Sequence, residues 1–246
     1  MFTLFKKNKP ATEVFPVNFV DIHSHLLPGI DDGAKNLEDS ISLISKLDDF
    51  GIHNFITTPH VLGGVWTNSS DTILDKLELV QEELLKQDMS YITINAAAEY
   101  MLDEQFCDLL KKRDLLTLKE DNLLVEMSYL NAPVNLFEIL FDIQLAGYNP
   151  ILAHPERYNF YHNDFEKYHR LKEAGCRFQI NLLSLTGYYG KSVQKTAEKL
   201  IEQNMIDFAG SDTHHHKHLN ALETIGTRKN IKLLEPILKR NSEIFF

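Results

Sequence analysis

Residues 19–25 are Phe-Val-Asp-Ile-His-Ser-His, an apolar run that leads into two histidines two positions apart. On an extended strand, side chains at positions i and i+2 point to the same face, roughly 6.6–7 Å apart. His23 and His25 can therefore converge on one metal ion at the end of a strand. The sequence leaves open whether Asp21 is a partner that orients one of the histidines.

Five later stretches repeat this pattern of an apolar strand that ends in a metal-binding side chain. They are Thr57-Thr58-Pro59-His60, Ala97-Ala98-Glu99, Leu124-Val125-Glu126, Leu152-Ala153-His154 and Gly210-Ser211-Asp212-Thr213-His214. One histidine at a strand end is usually a hydrogen-bonded core or surface residue. Six such endings in succession predict a multinuclear metal site.

Strand patterns alternate with helical patterns of ten or more residues along the whole chain. The predicted strands cover residues 17–22, 52–57, 91–97, 122–125, 150–153, 176–180 and 206–209. The predicted helices cover residues 37–50, 72–86, 103–112, 134–147, 165–174 and 192–203, with a last helix or two from about Leu219. Barrel enzymes hold their reacting groups at the carboxyl ends of strands. We therefore expect an α/β fold, a distorted TIM-like (β/α)7 barrel, because an open doubly wound sheet would keep ligands on its outer strands apart.

Composition limits the classes of protein that the chain can belong to. The chain has 246 residues, of which 43% are hydrophobic and 24% charged, enough for one α/β barrel. Its net charge of −10 argues against a long nucleic-acid track, and no apolar stretch reaches the ~20 residues of a membrane span. Two cysteines imply no disulfide framework and favour the cytoplasm. We expect a flexible arm at residues 1–16, without the features of a secretory signal, and one domain over 17–246.

The predicted ligands mix imidazoles and carboxylates without thiolates, which suits Mn, Fe or Zn. Their number exceeds what one ion takes, so two or three ions with bridging carboxylates fit better. The candidates are His23, His25, Asp32, His60, Glu99, Glu126, His154, Asp212 and His214. Spacing alone does not choose between Asp31 and Asp32. Such ions would attract a phosphate and acidify a bridging water.

Six motifs together resemble a known superfamily. They are DIHSHLLPGIDDG, TTPH, AAEY, LLVEMS, AHPERY and GSDTHH, within roughly residues 18–240. The chain resembles the polymerase-and-histidinol-phosphatase (PHP) superfamily, and within it the bacterial tyrosine phosphatases of capsule and exopolysaccharide loci, the CpsB/CapC type. The resemblance implies a (β/α)7 barrel, a trinuclear site usually supplied with manganese, and hydrolysis of phosphotyrosine on a cognate tyrosine kinase of polysaccharide export.

The resemblance also implies roles for residues that match its motifs. It gives the metal-ligand role to the nine candidates above, with Asp32 as the second aspartate of DDG, and the phosphate-binding role to Arg157 of HPERY. A guanidinium grips phosphate oxygens bidentately, which agrees with that role. The reaction expected is attack of a metal-bridging hydroxide on phosphorus, with His25 or His214 available to protonate the phenol.

The chain departs from the family's pattern around the expected phosphate site. Some members carry a second arginine a few residues after the last histidine, where this chain has His215-His216-Lys217-His218. Some also carry basic residues after the third histidine, where Val61-Leu62-Gly63-Gly64 stand here. Lys217 or His218 is therefore the candidate replacement in substrate binding. Trp66 is a candidate to stack on the tyrosine ring, although a loop tryptophan is more often a hydrophobic anchor.

Cys107 and Arg113 have the Cys-x5-Arg spacing of cysteine-dependent tyrosine phosphatases. That chemistry needs a phosphate-binding loop of backbone N–H groups, which also lowers the pKa of the thiol. The residues between them are bulky and fit an amphipathic helix. We therefore expect no catalysis by Cys107.

Other functions stay open at this point. One alternative is a small-molecule phosphatase, such as a histidinol-phosphate phosphatase, or a nuclease, which the acidic composition disfavours. Another is a non-catalytic regulatory module that metal only stabilises. The largely complete ligand set disfavours this, because structural sites use fewer ligands. The sequence leaves the metal, the phosphoprotein substrate and oligomerisation open, and it predicts no membrane insertion.

Overall fold

The structure, a computed structural model, describes residues 9–246, which contain nine β-strands and eight α-helices. The strands are β1 (Val20–Asp21), β2 (Asn54–Thr57), β3 (His60–Val61), β4 (Thr93–Ala96), β5 (Glu99–Met101), β6 (Asn122–Glu126), β7 (Asn149–Ala153), β8 (Arg177–Asn181) and β9 (Phe208–Gly210). The helices are α1 (Leu37–Asp48), α2 (Ser70–Lys86), α3 (Glu104–Lys112), α4 (Leu136–Leu145), α5 (Glu166–Glu173), α6 (Lys191–Glu202), α7 (His216–Leu222) and α8 (Arg228–Phe245). The predicted alternation is present, with shifted element ends.

The nine described strands occupy seven positions, because two of the predicted strands continue past their expected ends after a short break. Pro59 lies between β2 and β3 and donates no hydrogen bond, and a break at Ala97 and Ala98 separates β4 from β5. The two halves keep the same neighbours, since β2 pairs with β4 and β3 pairs with β5, both in parallel. The strand order then continues through β6, β7, β8 and β9, again in parallel.

The segments that follow the first and last strands are hydrogen-bonded to each other. Ser24 and Thr213 form a parallel bridge, and the backbone N–H of His25 donates to the carbonyl of Thr213 at 2.9 Å. The backbone N–H of Asp212 donates to the carbonyl of His23 at 2.7 Å. The parallel sheet therefore curls round until its ends meet, which confirms the predicted distorted barrel with seven strand positions.

Side chains alternate between the inside and the outside of the curled sheet. On β6, Leu124 packs in a small inner cluster, whereas Leu123 and Val125 pack in the larger outer core. This is the alternation that a strand imposes on its side chains. The inner cluster is apolar and includes Val20, Ile22, Ile56, Ala97, Leu118, Leu124, Ile151, Ala153, Phe208 and Phe245. Phe245 of the last helix closes it, with its ring 5.0 Å from that of Phe208.

Polar residues set the starts of several helices that cover the sheet. The side chains of Asn36, Ser69 and Asp103 accept backbone N–H groups in the first turns of α1, α2 and α3. Such caps satisfy donors that a helix start leaves unpaired. The helices then bury one apolar face against the strands, as in α1 with Ile41, Ile44 and Leu47.

The predicted arm at residues 1–16 lies partly outside the described residues. From residue 9 onward the chain packs against the fold, which differs from a loose arm. Ala11, Val14 and Phe15 are buried, and the backbone N–H of Lys9 donates to the carbonyl of Gly226 at 2.9 Å. Within residues 9–246, none of the helices has both the length and the apolar character to cross a bilayer.

Candidate metal centre

The carboxyl ends of the strands bring all nine predicted ligands into one cluster. They form four overlapping groups in which the ligand atoms lie within 4.8 Å of one another. The groups are His25, Asp32, His60 and His214; His23, His154 and Asp212; His23, His25 and Glu99; and His60, Glu99 and Glu126. Overlap of this kind is what a site for several ions requires, since neighbouring ions share ligands.

Glu99 lies at the centre of the cluster and faces several imidazoles at once. Its Oε1 is 2.9 Å from Nε2 of His154. Its Oε2 is 3.2 Å from Nε2 of His23 and 3.1 Å from Nδ1 of His60. Glu126 lies beyond His60, with Oε1 3.1 Å from the same Nδ1. Glu99 therefore belongs to two of the four groups of potential ligands.

The structure separates the two neighbouring aspartates that spacing could not distinguish. Asp31 is buried and its Oδ2 lies 2.8 Å from Nδ1 of His25, so it holds that imidazole in place. Asp32 is exposed, and its Oδ1 lies 3.5 Å from Nε2 of both His60 and His214. The contacts favour Asp32 as the ligand and Asp31 as the residue that orients His25.

Gln179 of β8 orients the other histidine of the opening motif, and no sequence motif pointed to this role. Its Oε1 lies 2.8 Å from Nδ1 of His23. Asp21, which was open as an orienting partner, instead accepts the backbone N–H and the hydroxyl of Ser211. Asp21 therefore fixes the backbone between the first and last strands rather than an imidazole.

Two predicted ligands sit in a backbone conformation that non-glycine residues seldom adopt. His154 has φ = 36° and Asp212 has φ = 50°, each just after a strand. Such conformations cost free energy and persist only where the surroundings impose them. Here the backbone N–H of His154 donates to the carbonyl of Gln179 at 2.8 Å, and Asp212 donates to His23. These bonds turn both side chains into the cluster.

Two glycines allow the backbone to pass close to the first histidines. A Cβ at Gly33 would lie 2.2 Å from the carbonyl oxygen of His25. A Cβ at Gly210 would lie 2.5 Å from Cβ of His23 and 2.8 Å from Nε2 of Gln179. The glycine of DDG and the glycine before Ser211 are therefore required by close packing around the cluster.

The buried carboxylates give the cluster a strong preference for positive charge. Burial opposes ionisation of Glu99, but His23 and His60 hold its pKa well below the usual range. Burial and the proximity of His25 lower the pKa of His60, yet Glu99 and Glu126 outweigh both and raise it to about 10. Burial together with Glu99 raises the pKa of Glu126 to about 7. Burial lowers the pKa of His154 to about 4, so this imidazole is neutral, the form that binds a metal.

The residues present fit a set of divalent ions. Nδ1 of His60 and Oε2 of Glu99 are buried and 3.1 Å apart, but neither makes a hydrogen bond of acceptable geometry within residues 9–246. Buried polar atoms are normally satisfied, so atoms left over in a cluster point to a ligand. Imidazole and carboxylate donors without thiolate suit Mn, Fe or Zn rather than softer ions. The cluster could therefore hold two or three such ions.

Arg157 lies beside the cluster and lines a cavity of about 240 Å³ at its mouth. Nη1 of Arg157 donates to Oδ2 of Asp212 at 2.8 Å. Its guanidinium is packed between two rings, with Cζ 4.7 Å from the ring centre of Tyr129 and 4.1 Å from that of Tyr189. The cavity is lined by Asp32, His60, Tyr129, Arg157, Tyr189, His214, His215 and His218. Predicted ligands and a guanidinium therefore face one another across a single small space.

The other predicted substrate contacts lie in different places. His218 lines the cavity, but burial lowers its pKa to about 3, so it offers a neutral imidazole and not a second cation. Lys217 is exposed and lines a neighbouring cleft instead. Trp66 pairs with Leu62 in an isolated bridge and does not line the cavity. The aromatic rings at the cavity are those of Tyr129 and Tyr189.

Cys107 and Arg113 do not meet the cluster. Both line a separate groove between α3 and α4, which shares no residue with the cavity of Arg157. Burial raises the pKa of the Cys107 thiol, which is the opposite of what a thiolate nucleophile needs. The helix predicted across this spacing is present as α3.

The fold is a curled parallel barrel, and imidazoles and carboxylates cluster at the carboxyl ends of its strands. These two features define the class as metal-binding barrels of the hydrolase type. The chain belongs to the capsular polysaccharide synthesis family CpsB/CapC, whose model matches residues 19–243. The predicted family is confirmed.

Comparison with known proteins adds particular relatives. The chain is 33% identical to the tyrosine-protein phosphatase YwqE of Bacillus subtilis over 202 residues, which are 82% of this chain and 79% of that one. It is similar to the crystal structures described as YwqE of B. subtilis and CpsB of Streptococcus pneumoniae, unique metal-dependent tyrosine phosphatases, with TM-score 0.77, 30% identity, and coverage of 90% and 94%. It also resembles a histidinol phosphate phosphatase of Lactococcus lactis, with TM-score 0.54, 14% identity, and coverage of 91% and 94%, which shows the fold alone.

Proposed function

We propose that this protein is a metal-dependent protein-tyrosine phosphatase. The observation that carries the proposal is the convergence of nine ligand side chains in one cluster, three of which line the same cavity as Arg157. The relatives named above are tyrosine-protein phosphatases, and the solved pair is described as metal-dependent. Both facts favour phosphotyrosine over other phosphate esters as the substrate.

The metal-ligand role belongs, in this proposal, to His23, His25, Asp32, His60, Glu99, Glu126, His154, Asp212 and His214. Two or three manganese ions are the proposed occupants, with Fe and Zn compatible with the same donors. When bound, they supply positive charge for the phosphate and acidify water at the site. Asp31 and Gln179 orient His25 and His23 toward them.

Arg157 is proposed to grip the phosphate oxygens. Asp212 and the two tyrosine rings fix its side chain, so little conformational freedom is lost when it binds an anion. The rings of Tyr129 and Tyr189 also give the cavity apolar walls, which suit the phenyl ring of phosphotyrosine. An apolar cavity of about 150 Å³ holds benzene, so the 240 Å³ here accept one aryl group.

Release of the phenol needs little proton donation, because a phenol has a pKa of about 10. Of the two histidines proposed as donors, His214 lines the cavity, whereas His25 is fully buried with Nδ1 against Asp31. We therefore assign any protonation to His214. The proposed protein substrate is a bacterial tyrosine kinase of polysaccharide export, which agrees with the capsule family, and the proposed compartment is the cytoplasm.

Metal removal tests the proposal directly. The purified protein is treated with a chelator, and hydrolysis of p-nitrophenyl phosphate, a phosphotyrosine peptide, a phosphoserine peptide and histidinol phosphate is measured before and after addition of Mn²⁺. We expect activity to disappear on chelation, to return with Mn²⁺, and to be highest on the phosphotyrosine peptide. The Cys107→Ser variant serves as control and keeps its activity. Activity that survives chelation, or that is lost in Cys107→Ser, contradicts the proposal.

A further inference from the structure

A second cleft adjoins the cavity of Arg157 and has a different character. It has a volume of about 380 Å³ and shares Asp32, His214 and His215 with the cavity. It runs between the segment after DDG and the start of α7. Its remaining lining is Gly33, Lys35, Asp39, Leu43, His216 and Lys217. The two spaces therefore meet along one wall, which Asp32, His214 and His215 form.

Two exposed lysines stand at this cleft without an acidic partner. Neither Lys35 nor Lys217 lies within ion-pair distance of a carboxylate in residues 9–246, unlike eight other lysines there. Two carboxylates also line the cleft. Asp32 faces His60 and His214, and Oδ2 of Asp39 accepts the backbone N–H of Lys35 at 3.3 Å. The lysine ammonium groups are thus the charged groups of the cleft that have neither an ion pair nor a hydrogen bond among the described residues.

The walls of the cleft are held by the fold rather than by a loose loop. The hydroxyl of Ser42 on α1 lies 3.1 Å from Nε2 of His216 on α7, which ties the two sides together. Leu43 beneath is buried in the main core. His215 and His216 add hydrogen-bonding imidazoles to the rim. Lys35 and Lys217 therefore hold two ammonium groups on a fixed frame. The two carboxylates that match them in formal charge, Asp32 and Asp39, contact imidazoles and a backbone N–H instead.

We propose that this lysine cleft, lined by Lys35 and Lys217, is a subsite for an acidic side chain next to the phosphotyrosine of the substrate. The inference rests on the proposed function, because it needs a peptide whose phosphotyrosine occupies the cavity. An extended peptide advances roughly 3.3 Å per residue, so a residue one to three positions away reaches the adjoining cleft. The overall negative charge of the protein repels acidic segments, and the lysine cleft provides the local attraction that admits one in a single orientation.

A positional scan of substrate peptides tests the subsite on the manganese-loaded full chain. Peptides carry one glutamate, glutamine or lysine at each position from −3 to +3 around phosphotyrosine, and kcat/KM is measured for each. We expect the glutamate peptide to exceed its glutamine counterpart by about two- to tenfold, and only on one side of the phosphotyrosine. In the Lys35→Glu/Lys217→Glu variant the preference disappears and the lysine peptide becomes the better substrate at the same positions.

The controls separate this subsite from general charge effects and from failure of the proposed function. Lys112→Glu changes an exposed lysine of α3 and should keep the preference. Each ratio compares two peptides on one preparation, so a loss of folded protein cancels. Equal rates at every position in the unaltered protein, or a preference that survives the double charge reversal, overturn the subsite alone. Failure to hydrolyse any phosphotyrosine peptide overturns the proposed function and the subsite together.

Discussion

The interior of the barrel contains two layers with opposite chemistry. The lower layer is apolar, with Leu124, Ile151 and Phe208 packed against Phe245 of the last helix. The upper layer holds imidazoles and carboxylates, with His23 and Glu99 completely buried. Burying a leucine side chain stabilises the fold by about 1.5–3 kcal/mol, whereas burying a charged group costs free energy unless it is paired. The lower layer therefore supplies stability, and the upper layer is retained for its chemistry.

The largest effect that this comparison predicts is a loss of activity when a ligand in the upper layer is substituted. Glu99→Gln keeps the size of the side chain but removes the carboxylate that faces four imidazoles. We expect bound manganese, measured by elemental analysis, to fall. We expect kcat/KM on p-nitrophenyl phosphate to fall by more than the roughly 100-fold that loss of an outer partner costs.

The comparison also predicts that this variant still folds in the presence of chelator. The decrease in its free energy of unfolding should be smaller than for a change in the lower layer, because the apolar layer is untouched. Glu104→Gln, on the exposed side of α3, is the matched control and should keep both metal and activity. Normal metal content and turnover in the Glu99→Gln protein would show that Glu99 is not a metal ligand.

The second effect is on stability, from a change in the lower layer. Leu124→Ala leaves a hole in a fully buried position, which should lower the free energy of unfolding by about 2–5 kcal/mol. Urea unfolding measures the loss, and kcat/KM per folded molecule should change little. Leu145→Ala removes a leucine that is 74% exposed on α4 and should stay within about 0.5 kcal/mol of the parent. A Leu124→Ala protein as stable as Leu145→Ala would contradict the division into layers.

The smallest effect is on metal affinity, and it comes from Gln179, the residue that connects the two layers. Gln179 stands above the apolar layer and holds Nδ1 of His23 at 2.8 Å. Gln179→Leu should weaken manganese binding by about 10- to 100-fold, measured as the Mn²⁺ concentration that gives half-maximal activity. Gln179→Glu keeps an acceptor for the imidazole and should restore most of the affinity. If both variants bind manganese equally badly, Gln179 acts by packing and not by orienting His23.

Much of the fold and the ligand set could be predicted because both follow from local patterns. A strand exposes alternate residues, and parallel strands end at one rim, so residues such as His60 and His154 that end an apolar run must gather there. The second and third predicted strands ended at residues 57 and 97, so the short continuations β3 and β5 were not predicted. The breaks before these continuations interrupt hydrogen bonding locally without moving the strand from its place in the order.

The surroundings of the ligands depended on contacts between distant segments. Asp31 and Asp32 are adjacent, and only the turn at Gly33 decides that one meets His25 while the other faces the cavity. Tyr129 and Tyr189 lie far apart in sequence, and neither belongs to a motif, yet both pack on Arg157. Lys217, expected near the phosphate, lines the lysine cleft because α7 carries it away from Arg157.

The sequence by itself determined the order of strands and helices, the chemical class of the ligands and the family. These depend on residue type and on spacing along one strand, which a chain carries wherever it folds. Only the tertiary structure decided which aspartate faces the cavity, what orients each imidazole, and which rings hold the guanidinium. Those relations join residues from different loops, and their positions are fixed only when the curled sheet brings its first and last strands together.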